Sequence, residues 1–233
     1  MLVFIKLILA HLIGDFILQP VKWVVHKESN KITSRYLYFH ILLHFALYML
    51  LLWNLDMWHI ALVIALGHFG IDLLKLYAGP LFKNKSIPFF IDQALHIMLV
   101  YICVFYGNLY SKTAMLFQHL DWYLITAIVF VTYPAAIIMG KILEGMSNQI
   151  ETDHKSLPNA GKYIGMIERL FVLIFIVIGR WEVIGLLIAA KSVFRFNDLK
   201  ERNNRKLTEY ILIGTLVSFG LAILAGLLYM AQY

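Results

Sequence analysis

The sequence contains one cysteine, Cys103, which excludes both an intrachain disulfide and a thiolate metal cluster. Charge is scarce as well. Asp, Glu, Lys and Arg make up 15% of the 233 residues, against roughly a quarter in soluble domains. No polar stretch is long enough for an appended water-soluble enzyme domain, and nothing resembles a disordered or collagen-like tract. The sequence has no cue for Ser-His-Asp or Cys-His nucleophilic chemistry. What fills the chain is apolar surface: 61% hydrophobic residues and a mean hydropathy of +0.76. These values exclude a soluble globular fold and predict an all-α, polytopic bundle of transmembrane helices. The first apolar run, starting Met1-Leu-Val-Phe-Ile-Lys6 and holding His11 and Asp15, has no basic leader or small-residue cleavage site and is read as a retained helix.

Apolar runs measured against the roughly 20 residues that cross a bilayer predict about eight spans. They lie near 2–19, 36–54, 58–77, 88–107, 121–142, 163–179, 182–196 and 207–231. Pro20 should end the first, Pro88 start the fourth and Pro134 kink the fifth. The chain divides into a 1–110 module and a 111–233 set of helices with a polar loop at 143–162. Lys and Arg favour cytoplasmic loops. The links after spans one, three, five and seven hold Lys22, Lys27, Lys31, Arg35, Lys83, Lys85, Lys141, Lys155, Lys162, Arg195, Lys200, Arg202, Arg205 and Lys206, fourteen in all. The opposite side holds Lys112, Arg180 and Lys6. Both termini are therefore expected outside and the 143–162 loop in the cytoplasm. The net charge of +6 is a topology signal; these cations are split among four loops and form no nucleic-acid-binding module.

Ionisable side chains are costly within a span and usually face a protein interior or wet cavity. The first four predicted spans each carry one pair at i,i+4: His11/Asp15, His40/His44, His68/Asp72 and Asp92/His96. Residues four apart share a helix face. At 1.5 Å per residue, Asp15, His40, Asp72 and Asp92 all lie roughly 6–8 Å inside the cytoplasmic boundary, with their partners one turn deeper. Two of the helices run outward and two inward, so this agreement in depth does not follow from the spacing within each pair. All eight groups can meet in one layer.

Five imidazoles and three carboxylates offer the nitrogen and oxygen donors that Zn, Mn or Fe accept, in numbers sufficient for two ions. Gln19, Lys75 and Gln93 lie near the same faces and are expected to contact ligands or substrate. The plainer reading makes each pair a hydrogen-bonded stitch between helices; four pairs at one depth favour a shared site. His26, His59, His119 and His154 fall in loops or at helix ends and are read as solvated. Trp23, Trp53, Trp58, Trp122 and Trp181 fit interfacial belts.

The ordered set His11-Leu-Ile-Gly-Asp15-Phe-Ile-Leu-Gln19, His40-x-x-x-His44, His68-Phe-x-x-Asp72-x-x-Lys75 and Asp92-Gln93-x-x-His96 resembles a bacterial integral-membrane family, domain of unknown function 3307, over about residues 5–105. The resemblance implies a common site in a multi-pass protein of the bacterial inner membrane and names no reaction. A looser similarity links it to families labelled membrane-bound metal-dependent hydrolases.

In the second half, Glu168-Arg169, Arg180, Glu182 and the i,i+4 pair Lys191/Arg195 stand out. Lys191 and Arg195 could hold an anionic substrate; the plainer reading gives Glu168 and Arg169 internal partners and leaves Arg195 as a topology anchor. Glu151, Asp153 and His154 of the polar loop could cover the site. The expected function is an intramembrane metal-dependent hydrolase of a lipid or lipid-linked phosphate, with Asp15 or Asp92 managing the proton. A metal-ion or proton-coupled transporter using the same residues is the alternative, and haem held by two histidines a third, disfavoured by the carboxylates. Eight crossings place Ser147 and Gln232 on opposite sides. Single cysteines at those positions should label from opposite faces of intact membranes; labelling from one face overturns the topology.

Overall fold

The computed structural model describes residues 2–106, 119–147, 160–202 and 205–233; for 106, 194–202 and 205 the backbone alone is described. All regular structure among the described residues is helical. The chain divides into two units, Met1–Thr126 and Ala127–Tyr233. The division falls at 126/127, where the sequence pattern suggests 110/111.

The first unit is built from α1 (Leu2–Leu12), α2 (Val21–Asn30), α3 (Arg35–Leu52), α4 (Trp58–Ala78) and α5 (Ser86–Tyr106), with α6 (Trp122–Val131) beginning near its end. Its outer surface is apolar: Leu42, Leu66 and Met98 are 63%, 57% and 57% exposed. Apolar side chains outside and ionisable ones inside reverse the arrangement of a water-soluble bundle and suit helices surrounded by lipid. A tightly packed core of Val3, Leu7 and Ala10 from α1, Tyr48 from α3, Ile64 from α4 and Val104 from α5 holds the helices together. Lys6, which the charge count treats as a topology signal, is buried with its ammonium 4.6 Å from the centre of the Trp122 ring, and Trp122 is itself buried rather than interfacial. Burying both makes the ring face a neighbour for the cation where no water reaches it.

The expected helix 2–19 is broken. After Leu12 the chain makes a π turn, Ile13–Ile17, closed by the Leu18 amide donating to the Ile13 carbonyl at 2.9 Å. Pro20 (φ −66°, ψ 149°) has no amide hydrogen to continue it, and the axis turns by 84° into α2. The segment 20–35, a loop by its hydropathy, therefore contains a helix. Ten mixed residues, VKWVVHKESN, make no hydrophobic run, so a search for spans passes over them. Trp23 stacks on Tyr36, with ring centres 5.5 Å apart, and His26 Nδ1 lies 2.7 Å from Ser34 Oγ, fixing α2 against α3.

The second unit continues with α7 (Tyr133–Ser147), α8 (Ala160–Val177), α9 (Trp181–Arg202) and α10 (Arg205–Met230). The kink expected at Pro134 is present as a break at Thr132, where α6 and α7 meet at 40°. Arg169 of α8 answers it. Its Nε donates to the Val131 carbonyl at 2.6 Å and its Nη2 to the Thr132 carbonyl at 3.1 Å, while Nη1 donates to Ser218 Oγ at 3.2 Å. Arg169, 2% exposed, thus serves carbonyls at the break with its guanidinium. Glu168 pairs with Lys191, so both members of the Glu168-Arg169 dipeptide have internal partners.

Among the described residues four helices, α3, α4, α5 and α10, are long and apolar enough to cross a membrane, and up to six spans result when the bent pairs α1/α2 and α6/α7 each count as one. Arg169→Met would take the side-chain donor from the Val131 carbonyl, at about 1–3 kcal/mol for that buried group, while the Thr132 carbonyl keeps the Ala136 amide at 3.2 Å. Thermal unfolding in detergent should show a loss of about 1–3 kcal/mol. An unchanged midpoint would mean that Arg169 does not hold the break.

Candidate functional site

The four i,i+4 pairs converge. His11 comes from α1, Asp15 from the π turn, His40 and His44 from α3, His68 and Asp72 from α4, and Asp92 and His96 from α5. His40, His44 and His68 have no solvent exposure, and Asp72, the most open of the other residues on α3–α5, is 5% exposed.

Asp15 is the hub. Its Oδ1 lies 3.0 Å from His44 Nε2, 3.2 Å from His40 Nε2 and 3.5 Å from His68 Nε2. Its Oδ2 accepts from Gln93 Nε2 at 3.0 Å and stands 3.8 Å from His11 Nε2. Asp72 Oδ2 accepts from the ammonium of Lys27 at 2.8 Å, and its Oδ1 faces His68 Nε2 at 3.9 Å and His96 Nε2 at 4.0 Å. Asp92 Oδ2 accepts from Lys75 at 2.8 Å and from Gln93 Nε2 at 3.2 Å. Gln19 Nε2 reaches the His40 ring, 3.0 Å from its Nε2. His40 Nε2 and His68 Nε2 are 3.2 Å apart, so at most one of them carries a proton between the two.

Two local features permit this density. The π turn re-aims Asp15 relative to a regular α-helix, a device frequent at functional sites. Gly14 supplies the other: a Cβ there would lie 2.4 Å from His44 Cε1 and 2.6 Å from its Nε2. Only a residue without a side chain lets the π turn approach the His44 ring this closely.

Several buried donors and acceptors remain without hydrogen-bond partners among the described residues: Nδ1 of His11, His44 and His68, both ring nitrogens of His96, and Asp92 Oδ1. Each such group ordinarily costs about 1–3 kcal/mol, so a plain helix-stitching role leaves them unexplained. Three groups have one ligand atom from each member within 4.8 Å of one another: His11/Asp15/His44/His68, His40/His68/Asp72 and Asp15/Asp92/His96. The mixture of imidazole nitrogen and carboxylate oxygen fits Zn, Mn or Fe and disfavours a purely oxygen-seeking ion.

The two sides of the layer differ among the described residues. Lys75, with 37% of its side chain exposed, and the half-buried Gln19 and Gln93 form the rim. On the opposite side lie Ala10 before His11, Tyr48 after His44, Ile64 before His68 and Val100 after His96, all buried.

Lys27 is the site residue that the sequence pattern alone does not reveal, since it counts there as a loop charge. The signal that could find it is its helical spacing from Trp23 and Val24, which places it on the inward face of α2. Lys191 lies in the second unit, paired with Glu168 and 5.6 Å from the centre of the Phe219 ring. The side chain of Arg195 and all of Glu151, Asp153 and His154 lie outside the described residues.

Gly14→Ala should drive the His44 ring from the cluster. The expected outcome is a protein that still inserts but has a lower thermal midpoint and perturbed histidine resonances; an unaltered histidine spectrum would show that the close approach is not required.

A family profile described as "Protein of unknown function (DUF3307)" matches residues 3–126, which include all eight clustered residues, both lysines of the site and the whole of α2. No curated protein and no solved structure matches the chain. Matched over more than half of its 233 residues, and carrying its ionisable cluster wholly within the matched part, the chain belongs to the family of proteins of unknown function DUF3307.

Proposed function

We propose that the protein is an intramembrane metal-dependent hydrolase acting on a lipid or lipid-linked phosphate at the cytoplasmic face of the bacterial inner membrane. The observation that carries this reading is the convergence on Asp15 of imidazole nitrogens from three helices, with further buried donor atoms around them that have no hydrogen-bond partner among the described residues. His11, Asp15, His44 and His68 are the residues that would hold a Zn, Mn or Fe ion, with His40, Asp72, Asp92 and His96 around them. Such an ion, when bound, supplies an acidified water at neutral pH. Asp92 Oδ1, buried and without a hydrogen-bond partner, is the acceptor suited to a water's proton, and Asp15 the second carboxylate able to share that work. Lys75, Gln19 and Gln93 at the rim are donors for phosphate oxygens.

In this proposal α8 and α9 complete eight crossings, with both termini outside. The charges that make α8 less apolar than a simple span are engaged within its unit: Lys162 over the Tyr133 ring, Glu168 with Lys191 and Arg169 at the helix break. The proposal rests on the first unit and assigns no step to Lys191 or Arg195.

A transporter using the same residues needs a polar route through the membrane. The buried apolar side chains on one side of the layer favour a site served from the other side alone. Asp15→Asn keeps shape and removes the hub's charge. Metal content of the detergent-purified protein should fall at least tenfold, and hydrolysis of phosphatidate or polyprenyl phosphates should fall with it, while membrane insertion is retained. Full metal content and full activity in Asp15→Asn would overturn the catalytic-metal reading. A metal-loaded wild type that turns over no lipid phosphate but moves metal ions into proteoliposomes would replace it with transport.

A further inference from the structure

We infer that the cluster takes one divalent ion, at the Asp15 group, and that the ammonium groups of Lys27 and Lys75 fill two further cation positions that Asp72 and Asp92 would otherwise offer. The inference rests on the metal reading proposed above and gives that site its stoichiometry.

The three ligand groups are not equivalent. Among the described residues His11/Asp15/His44/His68 has no lysine on its carboxylate. In His40/His68/Asp72 the carboxylate is held by Lys27 at 2.8 Å, with both side chains buried at 7% and 6% exposure. In Asp15/Asp92/His96 the terminal carboxylate is held by Lys75 at 2.8 Å. An ammonium nitrogen at that distance stands where a cation would approach the same oxygen, and like charges cannot crowd into a low-dielectric layer.

Charge arithmetic agrees with the geometry. Asp15, Asp72 and Asp92 contribute −3 and the two lysines +2, leaving −1 with the imidazoles neutral. One divalent ion brings the layer to +1, whereas two bring it to +3. The groups also share members, Asp15 between two of them and His68 between two, so neighbouring ions would lie close and repel.

The lysines come from different places. Lys75 is on α4, one turn from Asp72 and close to the rim, whereas Lys27 arrives from α2, beyond the 84° bend, on an element that carries none of the eight cluster residues. The segment between the first two spans is thereby tied into the site as the source of a fixed cation.

The test is metal content per chain, by mass spectrometry of full-length protein in detergent, equilibrated with zinc or manganese and desalted. Wild type should hold one ion. Lys27→Met and Lys75→Met, which keep an unbranched chain one atom shorter and remove the charge, should each hold two; Lys27→Arg, which keeps the charge, should hold one. Two or more ions in wild type overturn the inference, and a methionine variant that stays at one overturns the assignment of its lysine. If Lys27→Met leaves Asp72 unpaired and does not fold, Lys75→Met at the rim decides the same question. No ion in wild type brings down the metal reading itself, a result distinct from one ion in every variant, which removes this inference alone.

Discussion

A carboxylate placed among apolar helices must find positive or proton-donating partners, because burying an unpaired charge costs several kcal/mol even after relaxation. Asp15 meets that requirement with the helices around it. Its two oxygens lie within 3.8 Å of imidazoles from α1, α3 and α4, and accept from an amide on α5. The four helices are thus tied at one depth by a single side chain, and the packing on either side adapts to it. Gly14 gives up its side chain so that His44 can reach Asp15, and the π turn gives up regular helix geometry to aim the carboxylate. A helix-stitching network without a ligand has no need of that concentration, since each pair could satisfy itself at its own depth.

The same constraint explains α2. Asp72 sits in the layer with His40, His68 and His96 at 3.8–4.0 Å, too far for strong hydrogen bonds. The direct partner is Lys27, carried in by a helix that would otherwise lie outside the bundle. Breaking the first span at Pro20 and folding Val21–Asn30 back against α3 is the structural requirement for delivering that ammonium. Asp92 solves the same problem from within the bundle, since Lys75 is near enough on α4 to reach it.

The all-helical class and the positions of the eight ionisable residues were legible because two periodicities speak directly: apolar runs of span length and polar residues four apart. Agreement in depth among helices of opposite direction was legible by counting. Two kinds of feature were not. Helices shorter than a span, α2 above all, carry no hydrophobic-run signal, and with α2 went Lys27. Departures from regular helix, such as the π turn at Ile13–Ile17, depend on tertiary contacts that a local pattern does not encode. Trp122 shows a third limit: a tryptophan near a helix start is read as interfacial, but the buried ammonium of Lys6 makes an internal position favourable.

Pro134 and Arg169 repeat in the second unit the rule that governs the first. A proline within an apolar helix disturbs backbone hydrogen bonding, and in a bilayer the polar groups at such a break need partners from the protein because lipid supplies none. The guanidinium suits that role because its donors lie in one plane and its charge strengthens bonds to carbonyl oxygens. Its own burial is offset by those bonds and by Ser218, without a carboxylate among its hydrogen-bond acceptors in the described residues. Asp15 and Arg169 are therefore opposite solutions to one problem. The arginine is surrounded by protein acceptors and reads as a structural closure, whereas the carboxylate is surrounded by imidazoles of which His11, His44 and His68 leave Nδ1 without a partner among the described residues. That difference in what is left unsatisfied separates a residue that holds a fold together from one that prepares a site for something else.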